Sequence, residues 1–166
     1  IEFVDKNGSP YNYYYNEEGD LESSVDPLGQ TTSYTYDENG NITGEQHPDG
    51  SKITYTYNSA GKTTSVTDEI GRTTQFIYDS SDNIEKIILP DGSESLMTYY
   101  SNGNLHTITD EDGNTTTYSY DALNRITEVI NAEGYITKTS YLPSGKIEEV
   151  INPDRTTIRN EYDSEG

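Results

Sequence analysis

The 166-residue chain is only 30% hydrophobic, has neither tryptophan nor cysteine, and carries a net charge of −20 at pH 7. That charge repels phosphate backbones and anionic membrane surfaces, so nucleic-acid and membrane-surface partners are disfavoured. No apolar run approaches the roughly 20 residues of a spanning helix, so no membrane insertion is expected, and without cysteine there are no disulfides or thiolate metal sites.

Low hydrophobicity with high charge favours disorder unless the apolar residues are periodic. Here they are. Residues 1–7 read as the tail of one repeat, with Phe3 and Val4 in its late apolar positions. From Gly8 the chain steps by 21 residues through Gly29, Gly50, Gly71, Gly92, Gly113 and Gly134 to Arg155, which keeps the spacing without the glycine. Such periodicity decides architecture before local propensity does. With the opening residue as slot 1, slot 8 is Tyr15, Tyr36, Tyr57, Tyr78, Tyr99, Tyr120, Tyr141 and Tyr162. Residues 155–166 are the first twelve of a further repeat. Residues 1–166 are therefore expected to form a single array cut from a longer protein.

Within each repeat, slots 4, 6 and 8 are bulky and the slots between them polar, as in Ile53-Tyr55-Tyr57 and Thr116-Tyr118-Tyr120. This alternation predicts a half-buried strand over slots 2–8, with the tyrosine face supplying the core. A turn follows, as in Tyr36-Asp37-Glu38-Asn39-Gly40: the aspartate can bond its own downstream backbone, and glycine supplies a left-handed residue. The turn glycines are Gly19, Gly40, Gly61, Gly103 and Gly145, and the exceptions, Asp82 and Asn124, are residue types that tolerate positive φ. A second apolar group begins at slot 14 with Leu21, Ile42, Ile84, Leu105, Ile126 and Ile147, and continues at slots 17–18, as in Ile87-Ile88 and Val129-Ile130. Slots 14 and 17 differ in parity, so either a bulge shifts the face or both faces are partly covered. An Asp/Asn-Pro-x-Gly turn such as Asp26-Pro27-Leu28-Gly29 then leads to the next repeat.

Each repeat is thus predicted to be one antiparallel β-hairpin plus a linking turn. About sixteen such strands make a sheet roughly 75 Å wide, which is expected to curl or split. The fold class expected is all-β: tandem antiparallel hairpins in a curved sheet. A β-solenoid with one coil per repeat is the alternative.

The pattern Gly-x-x-x-x-Tyr-x-Tyr-Asp-x-x-Gly-x-Ile/Leu-x-x-x-x-x-Pro-Asp resembles the RHS, or YD, repeat. Residues 29–49 and 113–133 show it best, with Tyr36-Asp37 and Tyr120-Asp121 as the defining pair. Tyr99-Tyr100 and Tyr141-Leu142 depart from it by losing the aspartate. The resemblance covers the whole chain. It implies a spiralling sheet that forms part of a hollow shell, in a secreted or surface-exposed protein. It further implies a structural role beside neighbouring repeats, either enclosing a C-terminal toxin domain or displayed for cell–cell contact and competition.

Other functions find less support in the residues than this scaffold does. His47 and His106 fall in different repeats and suggest no catalytic dyad, and no catalytic motif occurs, so neither enzyme activity nor a cofactor is expected. Asp110-Glu111-Asp112-Gly113-Asn114 is acidic but lacks the ligand spacing of a calcium loop, so no metal site is assigned. A carbohydrate-binding or adhesion module that holds a cell-surface glycan is the main rival, because tyrosine joins an apolar ring to a hydroxyl. Tyr14, Tyr100 and Tyr135 lie off the core pattern and are the candidates for such exposed contact. Self-association into an extracellular fibre through open strand edges is a third reading.

Overall fold

The computed structural model describes residues 2–4 and 10–163, so Gly8, which opens the first full repeat, lies outside the described residues. Every regular element described is a β-strand. One set comprises β2 (Pro10–Tyr15), β4 (Thr31–Tyr36), β6 (Lys52–Tyr57), β8 (Thr73–Tyr78), β10 (Glu94–Tyr99), β12 (Thr115–Tyr120), β14 (Ile136–Tyr141) and the short β16 (Thr157–Arg159). Alternating with these are β1 (Glu2–Val4), β3 (Leu21–Val25), β5 (Ile42–Gln46), β7 (Thr63–Thr67), β9 (Ile84–Ile88), β11 (Leu105–Thr109), β13 (Ile126–Ile130) and β15 (Ile147–Ile151). The full strands of the first set fill slots 3–8 and those of the second fill slots 14–18.

The strands follow one another in chain order in one open sheet. Contacts divide the chain into two compact units, Ile1–Phe76 with Ile88–Gly92, and Ile77–Ile87 with Ser93–Gly166. In both units neighbouring strands pair antiparallel, β4 with β5 in the first and β12 with β13 in the second. The repeats are hairpins and not solenoid coils, because tight turns of this kind return the chain beside itself.

A bulge resolves the parity conflict. In β4–β5, Tyr36 faces Ile42 while Thr35 faces Gly44, so Thr43 is an extra residue. The same one-residue shift recurs in β2–β3, β6–β7, β10–β11, β12–β13 and β14–β15. Thr56 Oγ1 lies 2.8 Å from Thr64 Oγ1 and 2.6 Å from Ser65 Oγ, which places slots 15 and 16 on the same face. Slots 14 and 17 therefore share the opposite face with the tyrosines of slots 6 and 8. The other face is mixed: the apolar slot-18 residues Val25, Ile88, Ile130 and Ile151 stand on it beside hydroxyl pairs such as Thr67–Thr73 and Thr109–Thr115, both 2.8 Å. Cross-strand ion pairs on it include Lys86–Glu94 at 2.8 Å and Arg159–Glu149 at 2.7 Å.

The hairpin turn and the linking turn prove to be one motif used twice. At slots 9–13, Asp37 N–H donates to Asn41 O (2.9 Å) and Gly40 N–H to Asp37 O (3.1 Å). At the linking turn, Asp26 N–H donates to Gln30 O (3.0 Å) and Gly29 N–H to Asp26 O (2.9 Å). In both, the first carboxylate accepts two further backbone N–H groups, Asn39 and Asn41 for Asp37, Leu28 and Gln30 for Asp26. The fourth position is left-handed whatever residue fills it: the five hairpin-turn glycines have φ between 77° and 95°, Asp82 has 64°, Asn124 61° and Arg155 67°. Where tyrosine or leucine replaces the turn aspartate, the backbone bonds persist, as in Tyr100 N–H to Asn104 O and Leu142 N–H to Lys146 O, both 2.9 Å.

The expected core is corrected by the structure. Among the described residues no side chain is fully buried, and the slot-8 tyrosines are half-buried or exposed. A single layer of sheet has two faces, and within each unit no second layer closes over the tyrosine face.

Two stability predictions follow from the turns. Arg155 is a bulky residue held at positive φ, a conformation that costs an L-residue about 1 kcal/mol. Arg155→Gly should stabilise the array by about that amount, read as a rise in the urea midpoint at constant slope; an unchanged midpoint counts against strain at this turn. The carboxyls of Asp37, Asp68, Asp110 and Asp121 are held below the usual carboxylate range. For Asp37 and Asp110 the largest cause is the carboxamide of Asn41 or Asn114, for Asp68 the Arg72 backbone N–H, and for Asp121 the Arg125 side chain. Folded values below unfolded ones mean stability that is complete above the unfolded pKa and lost as pH falls through the folded one. Asparagine keeps the acceptor, as Asn58 does for the N–H groups of Ala60 and Lys62. Changing all four aspartates to asparagine should therefore flatten the loss of stability between about pH 5 and about pH 2, measured at about 1 M salt to screen the net charge.

Candidate functional site

The feature that repeats along the tyrosine face is a hydrogen bond between repeats. In the first unit, Tyr36 Oη donates to Leu21 O (2.8 Å) and Tyr57 Oη to Ile42 O (2.7 Å). In the second, Tyr99 donates to Ile84 O (2.9 Å), Tyr141 to Ile126 O and Tyr162 to Ile147 O (both 2.8 Å). Donor and acceptor are 15 residues apart each time. The acceptor is available for a geometric reason: β3 begins at Leu21, but its pairing with β4 begins only at Ser23 opposite Ser33. The slot-14 carbonyl thus lies beyond the end of the ladder, and the tyrosine hydroxyl replaces the missing rung.

The slot-14 side chains complete the arrangement. Leu21, Ile42, Leu105, Ile126 and Ile147 each stand opposite the tyrosine of their own repeat, Tyr15, Tyr36, Tyr99, Tyr120 and Tyr141. A slot-8 tyrosine therefore meets a slot-14 side chain across its own hairpin and, in the five bonds above, a slot-14 carbonyl from the repeat before. Tyr78 is also engaged by a neighbour, and Tyr15 is the most exposed of the series at 46%. Burial is the main cause that raises the hydroxyl pKa of Tyr36, Tyr57, Tyr99 and Tyr120.

Slot 13 has a part that the sequence reading did not assign. The Arg125 guanidinium lies 4.4 Å from the Tyr141 ring centre while pairing with Asp121 at 2.6 Å, and Lys146 Nζ lies 4.7 Å from the Tyr162 ring. A cation after the hairpin turn thereby caps the tyrosine of the next repeat. The signal was present, since Arg125 and Tyr141 occupy fixed slots, but repeat spacing alone gives no direction of contact.

The three tyrosines expected to be exposed do not form one surface. Tyr14 is 54% exposed at slot 7 of β2 in the first unit. Tyr135 is 58% exposed in a linking turn of the second, at the opposite strand ends from the hairpin turn that holds Tyr100. Tyr100 replaces the turn aspartate. Its hydroxyl donates to Tyr118 O (3.1 Å), its ring centre is 4.5 Å from that of His106, and it meets Tyr120 edge-on at 6.2 Å. His47 stands in a linking turn, with Nδ1 3.9 Å from Glu45 and Nε2 3.8 Å from Glu69. In the acidic turn, Asp110 Oδ1 accepts the N–H groups of Asp112 and Asn114, so this carboxylate is engaged in shaping the backbone.

A tyrosine that donates from its hydroxyl must stay protonated. With a raised folded pKa, the stability it adds is complete below the unfolded value near 10 and is lost as pH rises through the folded value. Tyr99→Phe should lower stability by about 1 kcal/mol at neutral pH and weaken the alkaline decline, both read by urea titration. A variant of wild-type stability at both pH values would remove the bond from the energetics of the array.

Comparison with known proteins agrees with this geometry. A family model described as teneurin YD-shell matches residues 3–166. Among curated proteins nothing matches. Similar solved structures include the crystal structure of TcdB2-TccC3-Cdc42, with a TM-score of 0.63 and 15% identity over 100% of this chain. TcdB2-TccC3 without its hypervariable C-terminal region gives 0.60 and 16% over 95%, and the Photorhabdus luminescens Tc holotoxin pore with the TccC3-D651A mutation gives 0.53 and 12% over 87%. At these identities the likeness is one of fold, and the chain spans 11% of the length of each of these three. With the family model covering nearly every residue, the chain belongs to the teneurin YD-shell family.

Proposed function

We propose that this segment is a wall element of a hollow β-shell in a secreted or surface-exposed protein, and that the shell encloses a passenger domain of the same polypeptide. The observation that carries the proposal is the recurrent bond by which five slot-8 tyrosine hydroxyls reach the repeat before their own. It fixes neighbouring hairpins to one another by the same contact wherever it occurs, as suits a continuous wall. The resulting sheet is built from surface, with one face of tyrosines and slot-14 side chains and one that mixes hydroxyls and ion pairs with the apolar slot-18 residues, and its role is support. Membership of a shell family supports the reading, as does the likeness to TcdB2-TccC3 assemblies, whose names are those of toxin-complex components.

Electron microscopy of the intact polypeptide, combined with limited proteolysis, tests this. The expected result is a hollow particle with this segment in its wall, and a non-repeat domain that resists protease until the wall is unfolded. An extended rod, or a non-repeat domain digested as fast inside the intact polypeptide as when expressed alone, would refute enclosure.

A further inference from the structure

Slot 13, the last residue of the hairpin turn, is asparagine, lysine or arginine in the later repeats but aspartate, Asp20, in the repeat that opens at Gly8. Two of the later cations show what the slot can hold. Arg125 lies 4.4 Å from the ring centre of Tyr141 and Lys146 4.7 Å from that of Tyr162, the slot-8 tyrosines of the repeats that follow them. Arg125 also pairs with Asp121 at 2.6 Å and donates from Nη1 to Leu142 O at 3.4 Å. A slot-8 ring with a carboxylate beside it is therefore a seat for a cation in this fold.

Before Tyr36 the seat is reversed in sign. Asp20 occupies the cation's slot, and its charge joins burial in keeping the Tyr36 hydroxyl protonated, which marks the two groups as neighbours. Asn16 stands where Asp121 does, and its Oδ1 accepts the N–H of Asp20 at 2.7 Å. The Asp20 carboxylate is half-buried, yet it accepts no hydrogen bond and pairs with no cation among the described residues. A carboxylate withdrawn from water without a partner is disfavoured, so this one calls for a counter-charge. Asp20 and Tyr36 line a depression of about 650 Å³ together with Glu18, Glu22, Asp37 and Glu38, and no lysine or arginine lines it. Glu18, Glu22 and Glu38 likewise have no ion pair among the described residues.

We propose that this depression is the docking site for an arginine-bearing basic segment of a partner protein, with one guanidinium stacked on the Tyr36 ring and paired with Asp20. The occupant is thus the group that Arg125 supplies from within the chain at the equivalent place. A guanidinium fits better than an ammonium, because its flat face covers a ring while its edge donates to a carboxylate. A depression lined by one sign of charge also concentrates ligands of the other. A bare divalent ion needs several oxygens converging on one point, and no cluster able to hold a metal occurs among the described residues. The docking is independent of whether the wall encloses a passenger, and its test does not read enclosure.

The test is a titration of the intact protein, at physiological salt, with a capped hexapeptide of alternating glycine and arginine, followed by calorimetry and NMR. The peptide should bind saturably, and the arginine side-chain protons should shift upfield in the ring current of Tyr36. The same peptide with neutral citrulline in place of arginine should not bind. Asp20→Arg places a cation where Arg125 has one, so it is expected to fold, as its melting curve will verify. It should weaken the peptide about tenfold or more. Asp112→Arg makes the same change of charge in a linking turn of the second unit and should leave binding within about twofold. No saturable binding, equal binding by the citrulline peptide, unchanged binding by Asp20→Arg, or equal weakening by Asp112→Arg would each overturn the proposal, the last by reducing it to attraction between net charges.

Discussion

The arrangement depends on a mismatch between the two ladders of each strand. A one-residue bulge after slot 14 puts slots 14 and 17 on the tyrosine face, while the slot-14 carbonyl falls short of the ladder to the preceding strand. A backbone acceptor left at a sheet margin must find a donor in water or in a side chain. The tyrosine at slot 8 reaches it, and this couples each hairpin to the one before. The bulge, the apolar residue at slot 14 and the tyrosine are therefore one device, and loss of any one strands the other two.

Stability of such a sheet is distributed. With no fully buried side chain among the described residues, it rests on ladder hydrogen bonds, half-buried tyrosine and isoleucine contacts, hydroxyl pairs and cation–ring contacts, each individually small. Repeat proteins behave as sums of local terms and nearest-neighbour interfaces. In this one the neighbour term is identifiable atom by atom, as a hydroxyl at slot 8 and a carbonyl at slot 14. The turns contribute a second, independent term. One five-residue motif reverses the chain at both ends of the strands, and its aspartate satisfies backbone N–H groups that would otherwise face solvent.

Much of this could be read from residues alone, because it depends on local rules. Period-two alternation located the first strand to within a residue, and the aspartate or asparagine found wherever glycine is absent at slot 12 pointed to a left-handed backbone. The parity break between slots 14 and 17 announced a bulge without identifying it. Structure was needed to show that Thr43 is the extra residue. What stayed illegible depends on direction and reach. Identical spacing would serve equally well if Tyr36 bonded forward or backward, and nothing in Arg125 says that it covers Tyr141. Tyr100 shows the limit most clearly: the sequence marked it as off-pattern, but its contacts with His106 and Tyr118 exist only because two turns lie side by side.

The constant 15-residue span of the tyrosine bond bears on how such a chain comes to be folded. The acceptor always precedes the donor, so a hairpin that has already emerged from a ribosome or a secretion channel presents its open carbonyl before the next tyrosine arrives. Each new repeat then completes the one ahead of it, and no contact of this kind waits for a distant part of the sequence. Assembly can proceed vectorially from the N-terminal side, with only the newest hairpin unfinished at any moment. That ordering keeps exposed strand edges to one at the growing end, and lets a long wall form without the slow search that distant strand pairing imposes.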